Sequence, residues 1–424
     1  MSKMRTVRGL LVALALLLVA AVGLTNQACK QPPQATIKVG AIMSLTGPWA
    51  TLGVDTEKGF RVFFDMLNEG GGIKGHPVEY VVYDDASDPT KAVLDMKQLI
   101  DMDKVHFVIG PNTTAASAAV RSIAEEKKTP FAALIATEGI IDRGYAYGFK
   151  FVALLMGAQV DQVAWPIKCG GKTLAALYAD SQYGRALLSG WESLAGKYGI
   201  PIVAKETYDP SATDFGAQLA RIKAANPGGL MVGGAEMAGG LAIKQAREMG
   251  IVIPTAASIT LASASILKVV GQAYSISPGV YVSGTVPDVW QTLPKDDPTY
   301  PNLERVTPFA AAYIKKYNED IDFTKYMPVP AGIAFKEAVE RALDNNPGLF
   351  DQDLATIRSK IRDEIEKTNT YLGLGKFTLT PTDHHGQSLG TSGYVGCQIQ
   401  NGTRVYVPGS RPSDLLEYLN AYKK

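Results

Sequence analysis

The sequence predicts an α/β fold built from two doubly wound parallel-sheet lobes. Three observations carry this. Short β-branched apolar runs alternate with helix-period segments from Ile37 onward. The alternation restarts near Met156, so a second set of the same construction follows the first. The chain has 424 residues, enough for two domains.

The N-terminus reads as an export signal. Lys3, Arg5 and Arg8 precede an apolar run over residues 10–24, too short for a membrane span. Residues 1–28 are assigned to the signal. Cys29 stands where a bacterial lipoprotein places its lipidated cysteine; ordinary cleavage near Ala21-Val22-Gly23 or Ala28 is the alternative. Residues 29–36, with two prolines, read as a tether.

The first βαβ unit spans residues 37–92. Ile37–Met43 is an apolar strand, residues 44–53 a loop, and residues 55–69 a helix. Phe60, Phe63, Phe64 and Leu67 fall on one helical face. Gly70, Gly71 and Gly72 stop that helix, and residues 78–83 form the second strand. Asp88-Pro89 starts a helix with a cap residue before a first-turn proline. Strands follow over residues 104–110 and 129–137, with a helix over 115–127 between them. In the second set, strands are predicted over residues 173–179, 202–206, 230–233, 251–256 and 280–286. Its helices are predicted over 159–167, 186–198, 214–225 and 241–249.

Composition and motifs exclude several functions. Lys plus Arg number 42 and Asp plus Glu 41, so no basic surplus favours nucleic acid. Hydrophobic residues make up 46%, ordinary for a sizeable core. No CxxC or Cys/His cluster points to a metal. His384-His385 is expected in a solvated turn. Gly171-Lys172-Thr173 has Pro166 where the first glycine of a phosphate loop belongs, and it precedes its strand. G-x-S-x-G and H-E-x-x-H are absent, and no nucleophile stands with a base. The chain is therefore expected to be neither an enzyme nor a cofactor carrier.

Three ordered segments carry a resemblance: SLTGPWATLG, NEGGGIKG and YDDASDPTKA. Together they resemble the opening of type I periplasmic binding proteins, in the leucine/isoleucine/valine-binding group. Later segments extend the likeness over nearly the whole mature chain. The resemblance implies two lobes joined by a multi-strand hinge. It assigns residues 37–155 and 287–382 to lobe 1, and 156–286 and 383–424 to lobe 2. It also implies late helices over 309–317, 327–343 and 351–367, and a final hairpin over 395–407. With the hairpin returning to lobe 2, Cys169 and Cys397 are expected to pair; two separate buried thiols are the alternative. The implied function is that of an exported, monomeric receptor, in the periplasm or on the outer face of the membrane, serving an ABC permease. The alternative is a sensory receptor of the same fold.

Ligands of open parallel sheets bind beyond the strands' carboxyl ends. Thr113 and Thr114 lie just before a helix, where free N–H groups suit a carboxylate; a plain cap is the alternative. The resemblance places Thr114 on the family's carboxylate-binding Ser or Thr, Thr137 on the Thr of its A-A-T loop, and Ile135 on a residue whose carbonyl faces the ligand. Trp49 either walls an apolar ligand end or packs under its loop. Tyr183 matches the second-lobe tyrosine that closes over the ligand. The family's ammonium-pairing acid falls near Ile259, where no acid stands. Glu236 is the candidate replacement; without it the ligand is an acid or amide lacking an ammonium.

Overall fold

The computed structural model describes residues 34–141, 144–276 and 279–422. The expected signal and Cys29 lie outside these residues. The first sheet contains β1 (Ile37–Met43), β2 (Val78–Asp84), β3 (Phe107–Ile109), β4 (Phe131–Ala133) and β5 (Gly148–Lys150). Its order is β2-β1-β3-β4-β5, and every pairing is parallel.

The second sheet begins with β6 (Leu174–Ala179), β7 (Ile202–Tyr208), β8 (Gly229–Gly233), β9 (Thr255–Ala257) and β10 (Tyr281–Thr285). A small antiparallel pair follows, β11 (Asn369–Tyr371) with β12 (Lys376–Thr378). The final hairpin, β13 (Tyr394–Gln400) and β14 (Thr403–Tyr406), then joins the second sheet in antiparallel register. That sheet's order is β14-β13-β10-β9-β8-β6-β7. The result is the two-lobed α/β architecture expected, with the hairpin within one residue of the expected range.

Late helices return to the first sheet. Phe335, on the helix Val329–Asn345, stacks on Phe107 of β3 with centroids 4.9 Å apart. Arg358, on the helix Leu354–Ile365, donates to the carbonyls of Val105 (2.7 Å) and Ile100 (3.3 Å). A buried guanidinium bonded to backbone carbonyls satisfies both partners and fixes the helix on the sheet edge. The C-terminal helix Pro412–Tyr422, not expected from sequence, packs on Leu155–Lys168.

The first helix starts at Ala50, five residues before its predicted start. Gly53 permits this: a Cβ there would meet the Ser44 carbonyl oxygen at 1.9 Å. The first turn therefore lies flush on the end of β1, and Trp49 becomes the N-cap residue. Phe60 and Phe64 of this helix are fully buried.

Two expectations need correction. Cys169 and Cys397 are both free thiols, the first exposed and the second buried. Cys169 ends the helix before β6, while Cys397 lies within β13, four strand steps away across the sheet. A disulfide requires Cα atoms within about 7 Å; the Cys397 thiol is instead packed inside the second sheet, where a Cβ on Gly284 would meet its Sγ at 3.0 Å. The hairpin does return to this sheet, but to its opposite side. His384 and His385 are buried instead of solvated. The His384 ring stacks on Phe149 at 4.3 Å and its Nδ1 lies 2.8 Å from the Gly148 carbonyl. Nε2 of His385 lies 2.8 Å from the Val152 carbonyl. Both rings thus satisfy backbone beside β5, a strand the sequence analysis missed.

Candidate functional site

A cleft open to solvent at its mouth lies between the lobes. Loops beyond the carboxyl ends of strands line it from both sides, as the parallel topology requires. Lobe 1 supplies Trp49, Leu52, Ser87 and residues 112–115 and 134–136; the other lobe supplies residues 181–183 with Ile259 and Thr260. Val152, Phe323 and Met327 complete the lining, and all three were missed in the sequence.

One end of the cleft is rich in hydrogen-bond donors. Thr113 is the N-cap of the helix Thr114–Glu126, yet its side chain makes no capping bond. The first-turn N–H groups of such a helix have no intrahelical acceptor. Thr114 Oγ1 lies 3.0 Å from Thr137 Oγ1, and both residues are buried. Ser44 donates its N–H to Asn112 Oδ1 at 2.9 Å, which fixes the amide orientation. Asn112 Nδ2 is then a buried donor with no partner among the described residues.

A charge lies under this end. Lys150, the last residue of β5, is fully buried, and its ammonium donates to the carbonyls of Thr137 (3.1 Å) and Ala136 (3.4 Å). The signal was available in GFKFVALL, where one lysine interrupts an apolar run, but without β5 it had no place.

The opposite walls are apolar: Leu52, Leu134, Val152, Ile259, Phe323 and Met327. Trp49 and Tyr183 meet across the cleft edge to face, with centroids 6.4 Å apart and planes at 73°. Trp49 therefore lines the cleft and does not merely pack beneath its loop. Tyr183 sits in the first turn of the helix Gln182–Tyr198, where Ser181 Oγ accepts the Gly184 N–H at 3.0 Å. Burial pushes the Tyr183 hydroxyl well above its ordinary range, so it stays protonated.

Five of the seven expected residues thus line the cleft: Trp49, Thr113, Thr114, Ile135 and Tyr183. Thr137 stands behind them on Thr114. Glu236 does not line it. It begins the helix Glu236–Glu248, is 2% exposed, and neither carboxyl oxygen has a partner among the described residues. Burial drives its pKa far up, and the charges of Asp55 and Asp322 add to this.

Those charges belong to a buried node between the lobes. Lys325 Nζ lies 2.6 Å from Asp322 and 3.1 Å from Asp55. Arg404, from β14, reaches Asp322 at 3.4 Å. Ser265 donates its hydroxyl to Asp55 at 2.8 Å, and the Ala264 N–H donates to Asp322 at 2.8 Å. Burial opposes ionisation of Asp322, but Lys325 and Arg404 prevail and hold it well below the usual carboxylate range. Asp55 is raised instead, because burial outweighs the attraction of Lys325.

Two parallel-sheet lobes closing on a mixed donor and apolar cleft define a bilobed ligand-binding protein. The chain belongs to the periplasmic binding protein family, whose model matches residues 36–396. It is 25% identical over 404 residues to Leu/Ile/Val-binding protein homolog 7 of Brucella abortus, covering 90% of this chain and 93% of that one. It is 28% identical over 224 residues to the leucine-, isoleucine-, valine-, threonine- and alanine-binding protein of Pseudomonas aeruginosa. That match covers 51% of this chain and 58% of the relative, and 59% of Leu/Ile/Val-binding protein homolog 3 of Brucella melitensis is spanned likewise. Among solved structures, an extracellular ligand-binding receptor from Rhodopseudomonas palustris aligns with TM-score 0.77 at 24% identity, covering 88% of this chain and 100% of that one. The branched-chain amino acid transporter substrate-binding protein LivJ of Streptococcus pneumoniae, in complex with isoleucine, aligns with TM-score 0.70 at 22% identity, covering 88% and 99%. These likenesses concern the fold.

Proposed function

We propose that the protein is an extracytoplasmic receptor that binds a small carboxylate-bearing solute between its lobes and presents it to an ABC importer. The observation that carries this reading is the pairing of two unlike ends in one cleft. The Thr114 helix start, with Asn112 and the Thr114–Thr137 hydroxyls, supplies donors for a carboxylate. Trp49 and Tyr183 close over an apolar body. The relatives' names, which specify amino acids, support a small solute. Ligand contacts to both lobes at once favour the closed state over the open one, and only that difference drives closure. Export by residues 1–28, with Cys29 as an anchor, belongs to the same reading.

The test is a thermal-shift and calorimetric screen of the mature protein against amino acids, other small acids and amides. A ligand at about one hundred times its dissociation constant stabilises the native state by about 2.7 kcal/mol. The ligand is expected to be recovered chemically unchanged; recovery of a converted product would overturn the receptor reading in favour of an enzyme.

A further inference from the structure

We infer that the cleft selects a monocarboxylate with an apolar body and no ammonium group, in preference to the corresponding α-amino acid. This rests on the carboxylate reading of the Thr114 end. An α-amino acid carries opposite charges on substituents of one carbon, so a closed cleft must neutralise both within a few ångströms. An ammonium taken out of water without an anionic or multi-acceptor partner is strongly disfavoured.

Among the described residues lining the cleft, no side chain bears a formal charge. Asp85, Glu138 and Glu236 do not line it. Asp85 accepts both the Ser44 hydroxyl at 2.7 Å and the Ser87 N–H at 2.8 Å on Oδ1; its Oδ2 is buried with no partner among the described residues, and burial pushes its pKa up, toward the neutral form. Glu138 accepts the Met156 N–H at 3.2 Å and lines a neighbouring depression with Leu154 and His385. Glu236 lies buried at the charged node.

One further feature favours an anion. Asn112 offers an unpartnered donor, and a buried donor of this kind calls for an acceptor.

Calorimetry on the mature protein with matched pairs tests this: 4-methylpentanoate against leucine, and 3-phenylpropanoate against phenylalanine. The expected result is at least tenfold tighter binding of the deaminated acid in a pair that binds. Equal or tighter binding of the amino acid overturns the inference and leaves the receptor reading standing. If no acid or amino acid binds while a neutral amide does, the carboxylate reading itself fails, and the inference with it. A second arm uses Asn112→Asp, which keeps the side chain's shape and adds a negative charge to the lining. With folding verified by its thermal midpoint, it is expected to weaken the deaminated acid at least tenfold. Unchanged affinity would place the carboxylate elsewhere and overturn the inference.

Discussion

The cleft and the charged node are built from the same two segments. In the first helix, Leu52 faces the cleft while Asp55, three residues on, enters the node. In the crossing segment, Phe323 and Met327 face the cleft while Asp322 and Lys325 enter the node. The segments are pressed together there: a Cβ on Gly59 would meet the Lys325 carbonyl oxygen at 1.7 Å. One face of this junction is therefore neutral and the other ionic. The difference separates two tasks. Charges that fix the junction are paired with one another, while the cleft lining carries no formally charged side chain among the described residues.

The largest effect is expected from breaking the node. Lys325→Met leaves Asp55 and Asp322 buried without their shared cation. Removing one partner of a buried ion pair costs about 3–5 kcal/mol. Urea unfolding of the ligand-free protein measures it; a loss under about 1 kcal/mol would mean the node does little to hold the junction. Thr114→Val is expected to do the reverse, sparing stability and weakening binding. A hydrogen bond to a charged group is worth about 1.5–3 kcal/mol, or roughly ten- to a hundredfold in affinity. Calorimetry with the tightest ligand from the screen checks it. Wild-type affinity in that variant would remove Thr114 from the site and blur the contrast between the two regions.

The sequence showed the cleft more clearly than the node, for a physical reason. Cleft residues sit at strand ends and helix starts, and local signals mark those places: Ser181 as a cap, Thr113-Thr114 before an alanine-rich helix, Gly-Pro beside Trp49. The node joins residues far apart in the chain, such as Asp55 with Lys325 and Asp322 with Arg404. No local pattern pairs them, and each charge alone reads as a solvated residue. Lys150 was hidden in the same way, because β5 is only three residues long. The Glu236 expectation went astray at this boundary. It correctly took the strand-end loop after β8 as facing the other lobe, but the acid meets the node's side of the junction and not the cleft's.

Glu236→Gln tests that boundary with the mildest change. Asp55 and Asp322 face Glu236 from the opposing segments, Lys325 partly offsets them, and Tyr274 lies near it within the lobe. Its native pKa is raised, chiefly by burial, so the folded protein keeps a proton that the unfolded chain releases above about pH 4.3. Stability from this group is therefore fully present below that pH and declines as pH rises toward the native pKa, by at most about 1.4 kcal/mol per pH unit. Glutamine does not titrate. In urea unfolding the variant is expected to gain on wild type from pH 5 upward, levelling once the pH passes the native pKa, while ligand affinity stays within about twofold. A flat difference across that range would mean that Glu236 is ionised in the folded protein. A tenfold loss of affinity confined to amino acids would make Glu236 the partner of a ligand ammonium after all, and would move the edge of the cleft across the junction to include it.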